Sequence, residues 1–263
     1  MTEAPLIIDV AENGRATVTL NRPDVHNAFD ENLISLLTSE LEALDGDDTV
    51  RTVVLAAAGK SFSAGADLNW MKRTADYSPG ENLADAEAIA GLMTVLNGLS
   101  KPTVAAVQGA AYGGGVGLIA CCDIAFASES ALFSISEVKL GLIPAVISPY
   151  VIAAIGERQA RRYMLSGERF DAREARRIGL VHEVVAPEGL DTAVDELLTL
   201  LLKNGPAAMR EAKGLIAAVA RRPIDTDLIA DTAARIARVR ASDEGREGVQ
   251  AFLEKRKPGW TKT

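Results

Sequence analysis

Gly113-Gly114-Gly115-Val116-Gly117 is a stretch of nearly bare backbone set between two apolar runs, Pro102 to Val107 and Leu118 to Cys122. Glycine accepts φ > 0 and has no Cβ to hold a ligand away, and the first turn of a helix carries unpaired N–H donors and a partial positive charge. An anion, or an oxygen on which negative charge develops, suits such a place. A second small-residue loop, Phe62-Ser63-Ala64-Gly65-Ala66-Asp67-Leu68, follows a second apolar strand, Val50 to Ala57. Two loops can therefore supply two converging donors.

Few side chains are suited to moving a proton. His26 and His182 are the only histidines. His182 falls in the alternating run Leu180 to Val185 and reads as strand surface, whereas His26, in Asn21 to Ala28, occupies a strand-to-helix connection that can border a ligand. No Ser/His or Cys/His constellation and no G-x-S-x-G elbow is present, so nucleophilic catalysis lacks its usual participants. A carboxylate is left. Glu137 lies among residues that read as buried, from Ala131 to Pro144, where desolvation raises a carboxyl pKa towards the range useful to an acid or base. Taken alone, a glutamate here is more often a solvated or paired residue than a catalytic one.

Two nucleotide-type patterns fail on geometry. Gly115-x-Gly117-x-x-Ala120 formally fits the dinucleotide fingerprint, with Glu137 as the ribose acid, but Gln108 to Gly114 separates the glycines from the strand they should follow. Gly59-Lys60-Ser61 resembles the tail of a P-loop, yet Val54 stands where the leading glycine belongs.

The elements that position these groups alternate. Strand-like runs recur at Leu6 to Val10, Ala16 to Leu20, Val50 to Ala57, Thr103 to Val107, Ile124 to Ala127 and Leu180 to Val185. Between Asp30, an N-cap, and Leu44, the leucines at 33, 36, 37, 41 and 44 make a helical stripe. Alternation of this kind predicts an α/β fold with crossovers and parallel sheet. Beyond Pro187 the pattern is helical: Glu188 to Lys203, Pro206 to Val219, Asp225 to Arg240 and Arg246 to Lys255. Leu197, Leu198, Leu200, Leu201 and Leu202 make the first of these apolar over more than one face, which suits either burial or contact with another body. We divide the chain into a core, residues 1–190, and a C-terminal helical region for packing and oligomerisation, residues 191–263.

Composition sets the bounds. With 263 residues, 48% of them hydrophobic, the chain can bury a large core without staples. Cys121 and Cys122, the only cysteines, are adjacent and fit neither a disulfide framework nor a zinc site. A net charge of −8 disfavours nucleic acid and anionic membranes as partners. Met1 to Val10 has no basic segment before its apolar run, so it does not resemble a secretory signal, and a cytoplasmic location is expected. Pro102 to Cys122 is uncharged and long enough to span a membrane. Its glycines and Gln108, flanked by Lys101 and Asp123, favour a buried strand, turn and helix instead.

Phe62 to Leu68, Val107-Gln108-Gly109-Ala110-Ala111-Tyr112-Gly113-Gly114-Gly115 and Ser136 to Pro144 resemble the crotonase (enoyl-CoA hydratase/isomerase) superfamily. Asn21-Arg22-Pro23, Ala175 to Val185 and Phe252 to Lys257 extend the likeness over nearly the whole chain. The resemblance implies a ββα spiral core, a C-terminal helical trimerisation region, homotrimers or homohexamers, and a coenzyme A thioester as substrate rather than a separate cofactor. It assigns the N–H groups of Ala66 and Gly114 to an oxyanion hole and Glu137 to acid/base catalysis. It places Val25, Ala64, Asp67 and Leu68 where relatives contact the nucleotide and pantetheine, and Phe252 and Lys255 where C-terminal residues reach coenzyme A.

Two positions depart from the pattern. Asp24 replaces a frequent lysine, which passes the phosphate contacts to residues such as Arg22 or Lys255. Gly117, grouped with the substrate-lining positions, stands where the best-known hydratases carry the first of two catalytic glutamates. A lone carboxylate favours a Δ3-Δ2-enoyl-CoA isomerase, since a 1,3 shift needs one base for one proton. Gly65 to Met71 and Pro144 to Pro149 instead resemble bacterial methylglutaconyl-CoA and isohexenylglutaconyl-CoA hydratases, some of which also lack that glutamate. The expectation is a metal-free enoyl-CoA hydratase for a branched methylglutaconyl-type thioester, with Lys72, Arg73, Lys139 or Arg158 available to a distal carboxylate. An acyl-CoA-binding or RNA-binding protein without catalysis is the alternative of another class, and the acidic balance disfavours RNA.

Overall fold

Along residues 15–20 the apolar side chains at 16, 18 and 20 are fully buried and the polar ones between them are not, the period-2 pattern of a strand with one covered face. The computed structural model describes residues 4–261. Its strands are β1 (Leu6–Val10), β2 (Arg15–Leu20), β3 (Thr52–Ala57), β4 (Ser61–Ser63), β5 (Thr103–Val107), β6 (Ala110–Tyr112), β7 (Ile124–Ser128), β8 (Leu132–Ser134), β9 (Arg169–Asp171) and β10 (Glu183–Val185). Its helices are α1 (Glu31–Gly46), α2 (Leu68–Thr74), α3 (Pro79–Gly98), α4 (Gly114–Cys121), α5 (Ser148–Ser166), α6 (Ala172–Ile178), α7 (Leu190–Leu201), α8 (Pro206–Val219), α9 (Thr226–Ala241) and α10 (Asp243–Leu253).

A six-stranded sheet runs β1-β2-β3-β5-β7-β10 and a four-stranded sheet runs β4-β6-β8-β9. Only β1 pairs antiparallel in the first and only β9 in the second. Each of β3, β5 and β7 is followed within a few residues by a short strand of the other sheet, β4, β6 and β8, and the chain then turns into helix. Successive units thus advance side by side through both sheets, which makes a spiral. The short strands end as parallel neighbours, so the segments that leave them are gathered at one edge.

The core lies between these layers. Leu33, Ile34, Leu37, Leu41 and Leu44 of α1 are buried, and the Asp30 carboxylate accepts from the Leu33 N–H at 2.9 Å to start that helix. α1 packs on α3, whose start is closed by a capping box between Ser78 and Glu81. On the other face of the large sheet, Val54, Val104, Ala106 and Phe126 meet Leu190, Val194 and Leu198 of α7. At about 1.5–3 kcal/mol for each fully buried aliphatic side chain, these three anchor the helix. Leu200 remains exposed. α8, α9 and α10 pack on one another.

Some boundaries differ from the sequence reading. Leu180 and Val181 are buried in the core but precede the paired strand, which begins at Glu183 because the Gly179 cap of α6, with φ 89°, must first release the chain. α10 starts at Asp243, earlier than expected, since the Ser242 hydroxyl accepts from the Gly245 N–H at 3.1 Å. Among the described residues, no helix is long and apolar enough to cross a membrane.

Candidate active site

β4 delivers the first donor loop. Ser63 at its end is fully buried, donates through Oγ to the Asn27 carbonyl at 2.9 Å and accepts from the Gly65 N–H at 3.2 Å. Asn27, also fully buried and in the left-handed region at φ 53°, donates to the carbonyls of Ala58 and Ser61, both at 2.8 Å, and accepts from the Arg22 N–H at 2.7 Å. The next segment is pinned by Phe29, whose N–H donates to Gly65 O at 2.7 Å and whose carbonyl accepts from the Asp67 N–H at 2.8 Å. In extended chain, successive N–H groups point to opposite sides. The Ala66 N–H therefore points away from Phe29, and among the described residues no protein acceptor takes it.

β6 delivers the second. Gly113, at φ 50°, donates to Ser134 O of β8 at 3.0 Å, and Gly114 opens α4, so its N–H has no acceptor within the helix. The two loops touch as backbone. A Cβ on Gly65 would stand 3.0 Å from Tyr112 O, one on Gly115 3.0 Å from Ser63 Cβ, and one on Gly114 2.7 Å from the Phe29 ring.

β8 delivers the carboxylate. Glu137 begins a 3-10 turn, Glu137–Leu140, and its Oε1 lies 3.1 Å from where a Gly113 Cβ would be. Its Oε2 is buried with no hydrogen-bond partner. Burial pushes the Glu137 carboxyl above the usual carboxylate range, against a smaller opposing effect of its own backbone. Two free N–H donors beside one desolvated, half-unsatisfied carboxylate can stabilise a developing oxyanion and transfer a proton next to it.

The other expected residues have distinct placements. Val25, Ala64 and Leu68 are exposed around the Ala66 loop. The Asp67 carboxylate is engaged within the protein, accepting from the N–H groups of Asn69 at 2.8 Å and Trp70 at 3.3 Å and pairing with Arg22 at 3.2 Å. Burial pushes its pKa up, but these donors outweigh it and hold the group below the usual range. Arg22 also binds Asp30 at 2.9 Å and the Ala28 carbonyl at 2.7 Å, an internal tie that occupies its guanidinium. Gly117 is buried, and a Cβ there would come within 2.3 Å of Ile147 Cγ2. Phe252, 81% exposed, lies in the last turn of α10, and Lys255 follows two residues after its end. Of the four candidate cations, Arg73 is held by both oxygens of Glu31 at 2.7 Å.

His26 Nδ1 meets the Ser61 hydroxyl at 3.0 Å, and His182 Nδ1 accepts from the Ala125 N–H at 3.1 Å, so one ring is tied to a side chain of β4 and the other to the backbone of β7. Among the described residues, no group of three or more His, Cys, Asp or Glu is placed to hold a metal ion. Asn27 and Phe29 escaped the sequence reading as site-shaping residues, and Ser63 and Ile147 entered it only as members of longer segments. The only local signal was the turn-forming Asn27 itself.

A two-sheet spiral with donor loops and a carboxylate gathered at one edge defines a crotonase-class scaffold. The chain belongs to the enoyl-CoA hydratase/isomerase family, whose model matches residues 11–263. An enoyl-CoA hydratase structure from Shewanella pealeana is similar at 48% identity and a TM-score of 0.95, covering 98% of this chain and 96% of that one. The 2,3-dehydroadipyl-CoA hydratase of Escherichia coli is 32% identical over 242 residues, 92% of each chain. The trans-2-decenoyl-[acyl-carrier-protein] isomerase of Streptococcus mutans is 30% identical over 254 residues, 95% of each.

Proposed function

We propose that this family member is an enoyl-CoA hydratase that uses Glu137 as its one acid/base and acts on a branched, 3-methylglutaconyl-type thioester without metal or redox cofactor. The observation that carries the reading is the desolvated Glu137 carboxylate, one oxygen unpartnered, packed against the glycine that precedes the free Gly114 N–H. In this scheme the thioester oxygen receives the N–H groups of Ala66 and Gly114. Glu137 takes a proton from water as the water oxygen bonds to C3. The C2=C3 pair moves to C2 and the carbonyl as an enolate, and the proton returns to C2, so no atom or electron is left over. Each N–H contributes roughly 10²- to 10³-fold to the rate. Arg73 is paired with Glu31, which leaves Lys72, Lys139 and Arg158 as the candidates for a cation facing a distal acyl carboxylate. The contacts of Val25, Ala64 and Leu68 with the nucleotide and pantetheine, and of Phe252 and Lys255 with coenzyme A across a subunit boundary, belong to the same reading.

One observation favours a Δ3-Δ2 isomerase. Ile147 fills the space beside Gly117, so no second carboxylate stands there, and a 1,3 shift needs only one. Turnover of 3-methylglutaconyl-CoA, a straight-chain 2-enoyl-CoA and a 3-enoyl-CoA, each repeated with Glu137→Gln, separates the two. Hydration that collapses in the variant supports the hydratase; reaction of the 3-enoyl thioester alone supports the isomerase. Binding of the thioesters without turnover of any of them rejects the substrate assignment and means lost chemistry or a different acyl group.

A further inference from the structure

We propose that Phe29 is a positioning residue that sets the spacing between the two oxyanion donors, an inference that rests on reading Ala66 and Gly114 as those donors. Its backbone holds the first: the bonds to Gly65 O and from the Asp67 N–H, at 2.7 and 2.8 Å, flank Ala66 on both sides and turn its N–H outward. Its ring holds the second, with Cε2 and Cδ2 at 2.7 and 3.0 Å from where a Gly114 Cβ would be. The Gly114 Cα therefore rests on the ring itself. Phe29 is 3% exposed and packed in the main core, so the ring has little freedom to drift. One residue thus ties two loops from different strands, through its backbone to the first and through its ring to the second. Gly114 has no positive φ, so ring contact rather than backbone conformation is what excludes a side chain there.

Donors that act mainly in the transition state change kcat more than KM when displaced. Phe29→Val keeps the backbone bonds and withdraws the ring. Gly114→Ala keeps the N–H and forces a methyl against the ring. The probe is butanoyl-CoA labelled with ¹³C at C1, a saturated thioester with no double bond to hydrate, whose carbonyl resonance moves downfield when bound donors polarise it. With the wild-type protein the shift is expected. In either single variant it shrinks, and kcat per folded site, with folding checked by circular dichroism, falls roughly 10- to 100-fold while KM changes little. The double variant, in which valine leaves room for the methyl, regains part of the shift and rate.

No carbonyl shift in the wild-type protein overturns the donor assignment itself. A wild-type shift that persists with full kcat in Gly114→Ala and in folded Phe29→Val leaves the donors in place and overturns the role of Phe29. Gly114→Ala alone decides the matter if Phe29→Val does not fold.

Discussion

Glu137 carries a charge where burial opposes it, and this has a measurable sign. Its pKa is raised in the folded protein, so its contribution to stability is present when the group is protonated and is lost as pH rises through the folded pKa. Glu137→Gln removes the group that ionises, so the melting-temperature gain over wild type is expected to be larger at pH 8 than at pH 4. A gain independent of pH would contradict this. In the proposed mechanism the carboxylate is the base, so kcat/KM should fall as pH drops through the same raised pKa. Gly117 gives a second prediction. A glutamate there meets Ile147 and Met93 in the core, so Gly117→Glu should lower the free energy of unfolding, read by chemical denaturation, by roughly 1–3 kcal/mol or more without adding hydratase activity. Cys121 and Cys122 give a third: burial pushes both thiols up, Cys122 to about 12, so iodoacetamide should modify them only after unfolding.

At the scale of elements, each part of the site leaves a strand of three residues. That length explains what could be read from sequence. β2 alternates over six residues, β3, β5 and β7 are apolar runs of five or six, and the leucine stripe of α1 spans several turns, so these elements are legible. Ser61-Phe62-Ser63 is buried throughout and shows no alternation, so the second sheet is invisible without its neighbours. Gly113-Gly114-Gly115 was legible as chemistry because a glycine run between two apolar segments is distinctive, whereas Glu137, one of 36 acidic residues, took its role from the family resemblance. Asn27 and Phe29 were not, because they act on residues far along the chain; Asn27 bonds Ser61, 34 positions away. Asn27→Ala strands the carbonyl of Ala58 and the N–H of Arg22, each costing about 1–3 kcal/mol if buried without a partner, and leaves the Ser61 carbonyl with Gln108 Nε2 at 3.0 Å. A fall in chemical-denaturation stability of that order is expected, together with a lower kcat from a loosened Ala66 loop. A change in stability without any change in kcat would mean that Asn27 supports the fold but not the site.

For the whole molecule, α8, α9 and α10 present Ile216, Ile236 and Phe252 to solvent. Apolar exposure of this kind accords with the proposed trimer or hexamer. Sedimentation of purified protein should give three or six chains, and Ile236→Asp should shift the mass downward; a monomer that turns over substrate would reject the assembly. The two proposed donors are main-chain groups, and that has a consequence for heredity. A codon change can erase Glu137, whereas an N–H survives every substitution except proline and is lost to the site only when a change such as one at Phe29 or Gly114 displaces it. Under random mutation, the capacity to grip a polarised carbonyl outlasts the capacity to move a proton beside it, so descendants of this chain would change reaction more readily than they would abandon thioesters.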